Sequence, residues 1–313
     1  EELATTHPIA PRLDFVWTPL ESTPKRALAA DAAKGEVGKF GLGVTFPHEL
    51  GKTNDPAHAV GATPLASEIL LEAALAGLDA MHPDLLDVSF SAHDLAAHAW
   101  GQESWEATDV LFRLDGVIGK LLDALDARYG KDGWSLVLSA DHGGPHMPEL
   151  GAGNVRVDLD AVETQLRAIA PIDAVDERYV WLKDGKAIDA VVAALRSTPG
   201  IGFAFRTDAF AKHADCTGLP ELEMLACNSV HPGRSGDVIF GPREGSFVQR
   251  KPFEADFHGT PYAYDREVPI VVREPGRAPR IAENEGVTPL RVAPTVARLL
   301  GVAPPPAARE PPL

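Results

Sequence analysis

Apolar positions divide this chain into segments of two periods. From Ala62 to Ala80, Leu65, Ile69, Leu70, Ala73, Leu75 and Leu78 recur near helical spacing behind a Thr63-Pro64 start, which predicts a helix. After His82-Pro83 comes the short apolar run Leu85, Leu86, Val88 and Phe90, bounded by turn residues and read as a buried strand. Ser104 to Tyr129 then carries Leu111, Leu114, Ile118, Leu121, Leu122 and Leu125 at helical spacing, with Ser104 as N-cap and Gly130 as stop. From Trp134 to Ala140 the continuous Leu136-Val137-Leu138 has the pattern of a strand covered on both faces.

Strand, helix, strand predicts a parallel sheet packed against helices. Further strands are expected at Tyr179–Leu182, Ile201–Phe205, Val238–Phe240 and Pro269–Val272, and helices at Ala187–Arg196 and Val292–Leu300. The expectation is an α/β protein, a three-layer α/β/α sandwich with a mostly parallel central sheet, formed by residues 1–313 as a single domain. There is no internal repeat, and the only low-complexity stretch is the proline-rich tail at Pro304-Pro305-Pro306 and Pro311-Pro312.

Composition changes this picture little. The chain has 313 residues, ample for a large core, and its 28 Gly and 27 Pro exceed the usual ~12% and predict many ordered loops. No apolar run reaches the ~18 residues needed to span a bilayer, so no transmembrane segment is expected. A net charge of −16 argues against nucleic acid or an anionic membrane as partner. A phosphate ligand would therefore need a metal ion to hold it. Cys216 and Cys227 read as one disulfide in an oxidising compartment or as two separate buried thiols, and not as a metal pair, which would want CxxC spacing.

Candidate chemistry lies at the ends of consecutive strands. One reads Ser91-Ala92-His93-Asp94-Leu95-Ala96-Ala97-His98, with Asp94 and His98 four apart and so on one side of a helical turn. The next reads Ser139-Ala140-Asp141-His142-Gly143-Gly144, at a strand's carboxyl end, where open α/β sheets form their ligand crevice. Carboxylate plus imidazole suits zinc, and two such clusters a few ångströms apart would make a two-metal site for phosphoryl transfer. A third segment is His258-Gly259-Thr260-Pro261-Tyr262, which by itself reads as a turn.

The order of these segments, with Tyr264-Asp265 and Val268-Pro269 after them, resembles the alkaline phosphatase superfamily. Within it the chain is similar to the type I phosphodiesterase/nucleotide pyrophosphatase-like alkaline phosphatases that use a threonine nucleophile. Supporting stretches are Thr45-Phe46-Pro47-His48, Arg113-Leu114-Asp115, Arg234-Ser235-Gly236-Asp237 and Ala293-Pro294-Thr295, so that the likeness runs from about Thr45 to Pro305. The resemblance implies that Asp94, His98 and His258 hold one zinc and that Asp141 and His142 hold a second. It also implies phosphoric ester hydrolysis through a phosphoenzyme, a small phosphate ester as substrate, and a periplasmic or secreted location. A phosphodiesterase of the same superfamily is the alternative.

One part of the family pattern is not found. The nucleophilic Thr and an N-terminal Asp precede all of these segments in the family, yet Thr5 and Thr6 follow no strand and Asp14 has no such partner. With Glu1-Glu2-Leu3 at its start and no signal pattern, the chain reads as a processed or truncated product lacking that amino-terminal part. The first site then has three protein ligands and the second two, so that one zinc is expected to bind well, and a catalytically incomplete metal-binding fragment is the rival reading. Ser22-Thr23-Pro24-Lys25-Arg26 imitates a sulfatase core but lacks the Thr-Gly that follows it, and Ser22 is read as a loop residue. His93 and His146 are expected to fill polar loops. No partners are assigned to His7, His48, His58, His82, His213 or His231, and Trp100, Trp105, Trp134 and Trp181 are read as packing residues.

Overall fold

The computed structural model describes residues 10–212, 216–278 and 286–313. Thr5, Thr6, His7 and His213 lie outside them. The longer helices are α1 (Pro64–Met81), α2 (Ala92–Trp100), α3 (Trp105–Tyr129), α4 (Leu159–Arg167), α5 (Ile188–Ser197), α6 (Glu221–Asn228) and α7 (Val292–Leu300). The strands are β1 (Val16–Trp17), β2 (His48–Glu49), β3 (Leu136–Ser139), β4 (Arg156–Asp158), β5 (Ile172–Val175), β6 (Tyr179–Leu182), β7 (Ile201–Arg206), β8 (Val238–Pro242), β9 (Phe247–Gln249) and β10 (Ile270–Arg273). The α3 caps are the expected ones: the Ser104 hydroxyl accepts from the Ala107 N–H at 3.0 Å, and Gly130 ends the helix with φ +71°. Among the described residues no single helix is long and apolar enough to cross a membrane.

The α/β class holds, with mixed sheets. Within them β4 and β9 run parallel, while β1–β2, β3–β10 and the four-stranded sheet β5-β6-β8-β7 pair antiparallel. Pairing is thus less parallel than the strand–helix–strand pattern predicts, and the reason is local. Residues 85–90, expected as a buried strand, run without a ladder partner, and Leu85 is exposed. The unit that would have laid a strand parallel to β3 is therefore not closed, and the described partner of β3 is the antiparallel β10. Similarly, β5 and β6 are separated by only three residues, a connection that forces an antiparallel hairpin.

The largest apolar cluster joins α4, α5 and the four-stranded sheet through Val162, Leu166, Val180, Val191, Leu195, Ala204 and Phe240. A second surrounds Trp17, Leu50 and Trp100, and a third encloses the Cys216–Cys227 disulfide with Phe203, Phe210 and Ile239. Of the two readings of the cysteines, the disulfide is the one found. Trp17, absent from the expected packing residues, is fully buried, as is Trp100.

Candidate metal centre

Three connections bring the catalytic candidates together. Asp94 and His98 stand one turn apart on α2, so both project from one side of it. Ser139 at the end of β3 pairs with Ile270 at the start of β10, which sets the Asp141-His142 loop beside the 258–268 loop. Gly143 N–H donates to the Asp265 carbonyl at 2.9 Å and closes that contact. A Cβ at Gly143 would lie 2.1 Å from the Tyr264 carbonyl oxygen, so the approach requires glycine there. Buried Asp265 shapes the loop, since its Oδ2 accepts from the Thr260 N–H at 2.6 Å.

One carboxylate oxygen is the hub. Asp94 Oδ1 lies 3.4 Å from His98 Nε2, 3.7 Å from His258 Nε2 and 3.9 Å from His142 Nε2. All three separations exceed the ~2.7–3.2 Å of an N–H···O bond. Ligand atoms of Asp94, His98 and His258 all fall within 4.8 Å of one another. The rings of His142 and His258 stack with centroids 3.5 Å apart, so His142 belongs to the same cluster. Asp141 stands at its exposed rim, Oδ2 3.5 Å from His142 Nε2.

Backbone carbonyls hold the far sides of two of these rings. His98 Nδ1 faces the Asp256 carbonyl at 3.0 Å and His142 Nδ1 faces the Gly143 carbonyl at 2.9 Å. A carbonyl only accepts, so Nδ1 of His98 and Nδ1 of His142 each carry a proton, and it is their Nε2 atoms that face Asp94. Burial and the neighbouring His142 push the His258 imidazolium down to about 4. Three imidazole Nε2 atoms thus converge on one Asp94 oxygen at separations longer than hydrogen bonds. Two donors about 2.0–2.1 Å from a tetrahedral zinc stand about 3.3 Å apart, close to the 3.4 Å between Asp94 and His98. The donor set and its spacing fit zinc.

Several acidic neighbours carry no motif signal. Glu254 Oε2 lies 2.8 Å from His98 Nδ1. Asp256 is buried, its carboxyl raised to about 8 by desolvation, and its Oδ2 accepts from Gln102 Nε2 at 2.8 Å. Only closeness in sequence to His258 could have pointed to either residue. Two histidines left without partners in the sequence, His48 and His58, have them. His48 is fully buried with Nε2 2.8 Å from Glu106 and Nδ1 2.9 Å from the Leu42 carbonyl. His146 pairs with Glu103, His58 stacks on Phe40, and Ser22 sits at the start of a short helix, Thr23–Arg26.

Comparison with known proteins gives the family and the fold. The model of the family described as type I phosphodiesterase / nucleotide pyrophosphatase matches residues 32–262. Alkaline phosphatase PhoK of a Sphingomonas species is 30% identical over 248 residues, which cover 69% of this chain and 44% of that protein. The crystal structure of wild-type alkaline phosphatase PafA shares the fold with a TM-score of 0.83 at 22% identity, covering 100% of this chain and 65% of that one. Murine ectonucleotide pyrophosphatase/phosphodiesterase 5, solved in complex with AMP, gives a TM-score of 0.57 at 18% identity, over 77% of this chain and 60% of that one. The chain spans about half the length of the curated relatives it matches. By the extent of the family match, 32–262, this chain belongs to the type I phosphodiesterase / nucleotide pyrophosphatase family.

Proposed function

We propose that this chain supplies the zinc-binding part of a phosphoric ester hydrolase, with phosphate monoesters as substrates. The convergence of Asp94, His98, His142 and His258, with three imidazole Nε2 atoms facing one carboxylate oxygen, carries this reading. Asp94, His98 and His258 would hold the first zinc, and Asp141 with His142 the second. Bound zinc supplies Lewis-acid polarisation of a phosphoryl oxygen and lowers the pKa of a coordinated hydroxyl. The residues of this chain bind and orient. The Asp256 and Gly143 carbonyls fix the ring tautomers, and α2 keeps Asp94 and His98 in register. A net charge of −16 repels a free phosphate ester, so positive charge at this centre is what would attract one.

Two further points belong to the same reading. PhoK and PafA are named alkaline phosphatases, which supports monoester hydrolysis, whereas the murine neighbour with AMP keeps a phosphodiester or pyrophosphate substrate as the alternative. The Cys216–Cys227 disulfide supports work in an oxidising compartment, periplasmic or extracellular. A specific observation favours a second reading of activity. Asp141 and His142 offer two donors where a catalytic zinc takes three.

Zinc per folded chain, measured by elemental analysis together with p-nitrophenyl phosphate hydrolysis, separates these readings. Two zincs, falling to one in an Asp141→Ala/His142→Ala variant, with hydrolysis lost in that variant, are expected of a working centre. One zinc without hydrolysis would select the incomplete fragment, and none would overturn the proposal.

A further inference from the structure

Resting on the zinc reading above, we propose that Glu254 is a positioning residue of this centre, acting through His98. The 254–256 loop grips His98 at three points. The His98 carbonyl accepts from the Ala255 N–H at 2.8 Å, and its Nδ1 faces both the Asp256 carbonyl at 3.0 Å and Glu254 Oε2 at 2.8 Å. The carbonyl by itself suffices to fix the tautomer. What Glu254 adds is a negative charge on the far side of the ring.

Its two oxygens have separate tasks. Oε2 meets His98, while Oε1 meets the ammonium of Lys39, which arrives from a distant loop at Lys39–Gly41. The loop backbone is secured independently of this side chain, since the Glu254 N–H donates to Gln249 Oε1 at 3.2 Å and Arg156 donates to the Glu254 and Ala255 carbonyls. Arg156 in turn has its own carboxylate in Glu149, at 2.8 Å. The Glu254 charge is therefore directed at His98 and Lys39. A carboxylate on the outer nitrogen of a metal-binding imidazole raises the basicity of the inner one and tightens the metal.

Zinc affinity at pH 8, measured by competition with a chromogenic chelator, tests the assignment, with thermal unfolding of the zinc-free chain measured beside it. Glu254→Gln keeps the shape and removes the charge, and is expected to weaken zinc about 10–100-fold with little change in unfolding temperature. Lys39→Met leaves the Glu254–His98 contact and is expected to keep zinc affinity within about threefold of wild type, against the ~10–100-fold loss above. A Glu254→Gln affinity equal to wild type, while Asp94→Ala abolishes binding, overturns the role of Glu254. A Lys39→Met loss as large as that of Glu254→Gln also overturns it, because the Lys39 bridge and not the charge on His98 would then be what matters. If Asp94→Ala leaves zinc binding unchanged, the zinc reading fails first, and the role of Glu254 with it.

Discussion

Two histidine–carboxylate regions of the molecule behave as opposites. In the first, His48 and Glu106 are fully buried at 2.8 Å, with Trp17 and Trp100 against the imidazole. Beside them buried Asp109 accepts from Trp17 Nε1, the Leu20 N–H, the Thr23 hydroxyl and Arg113 Nε, all at 2.6–2.7 Å. In the second, Asp94 and its three imidazoles are half-buried and stand 3.4–3.9 Å apart. Short distances and donors matched to acceptors mark polar groups that hold the fold together. Imidazole nitrogens gathered on one carboxylate oxygen at metal-ligand spacing are the groups that the proposed zinc would bind.

The sharpest way to break this contrast is Asp109→Ala. Removing the buried acceptor shared by four donors is expected to cost about 3–5 kcal/mol of stability, read by urea unfolding of the zinc-free chain. Asp94→Ala should do the reverse, leaving zinc-free stability within about 0.5 kcal/mol. Its zinc affinity, read by chelator competition, should fall by more than the ~10–100-fold that partners of a ligand are worth. Gly143→Ala comes next, because the new methyl meets the Tyr264 carbonyl. A loss of about 1–3 kcal/mol is expected by urea unfolding, together with weaker zinc binding as the two loops part.

The smallest effect is in pH, and its sign differs between the regions. Burial and the nearby Glu106 raise the Glu36 carboxyl to about 8. That stability is fully present below the ordinary carboxyl range near 4.5 and is lost as pH rises toward 8. His258, depressed to about 4, works the other way, since its stability is present above the ordinary 6.5 and is lost as pH falls from there to about 4. Thermal unfolding of the zinc-free chain should show Glu36→Gln flattening the alkaline decline, by on the order of 1 kcal/mol. His258→Gln should flatten the acid one. The same slope in both variants as in wild type would contradict both assignments.

Much of the scaffold was legible because period and caps act locally. Ser104 and Gly130 bound α3 as expected, and Tyr179–Leu182 and Val292–Leu300 match their predicted spans. β4, β5 and β9 escaped detection because none carries an unbroken apolar run such as Leu136-Val137-Leu138 of the similarly short β3. Residues 85–90 have strand character but no ladder partner, and strand pairing is a tertiary fact that composition cannot supply. The five proposed ligands could be read from their order along the chain, whereas Glu254, Asp256 and Asp265 could not. Their roles come from meeting His98 and Thr260 through backbone contacts that have no sequence spacing. His48 shows the converse. A histidine in a promising stretch is a core residue, and only its burial and its 2.8 Å contact with Glu106 reveal that.

Anomalous diffraction at the zinc edge, from crystals of this chain grown with zinc, tests the contrast most directly. A peak enclosed by Asp94, His98 and His258, with none beside His48 and Glu106, is the predicted result. A peak at His48, or an ordered chain with no peak at Asp94, would contradict the account.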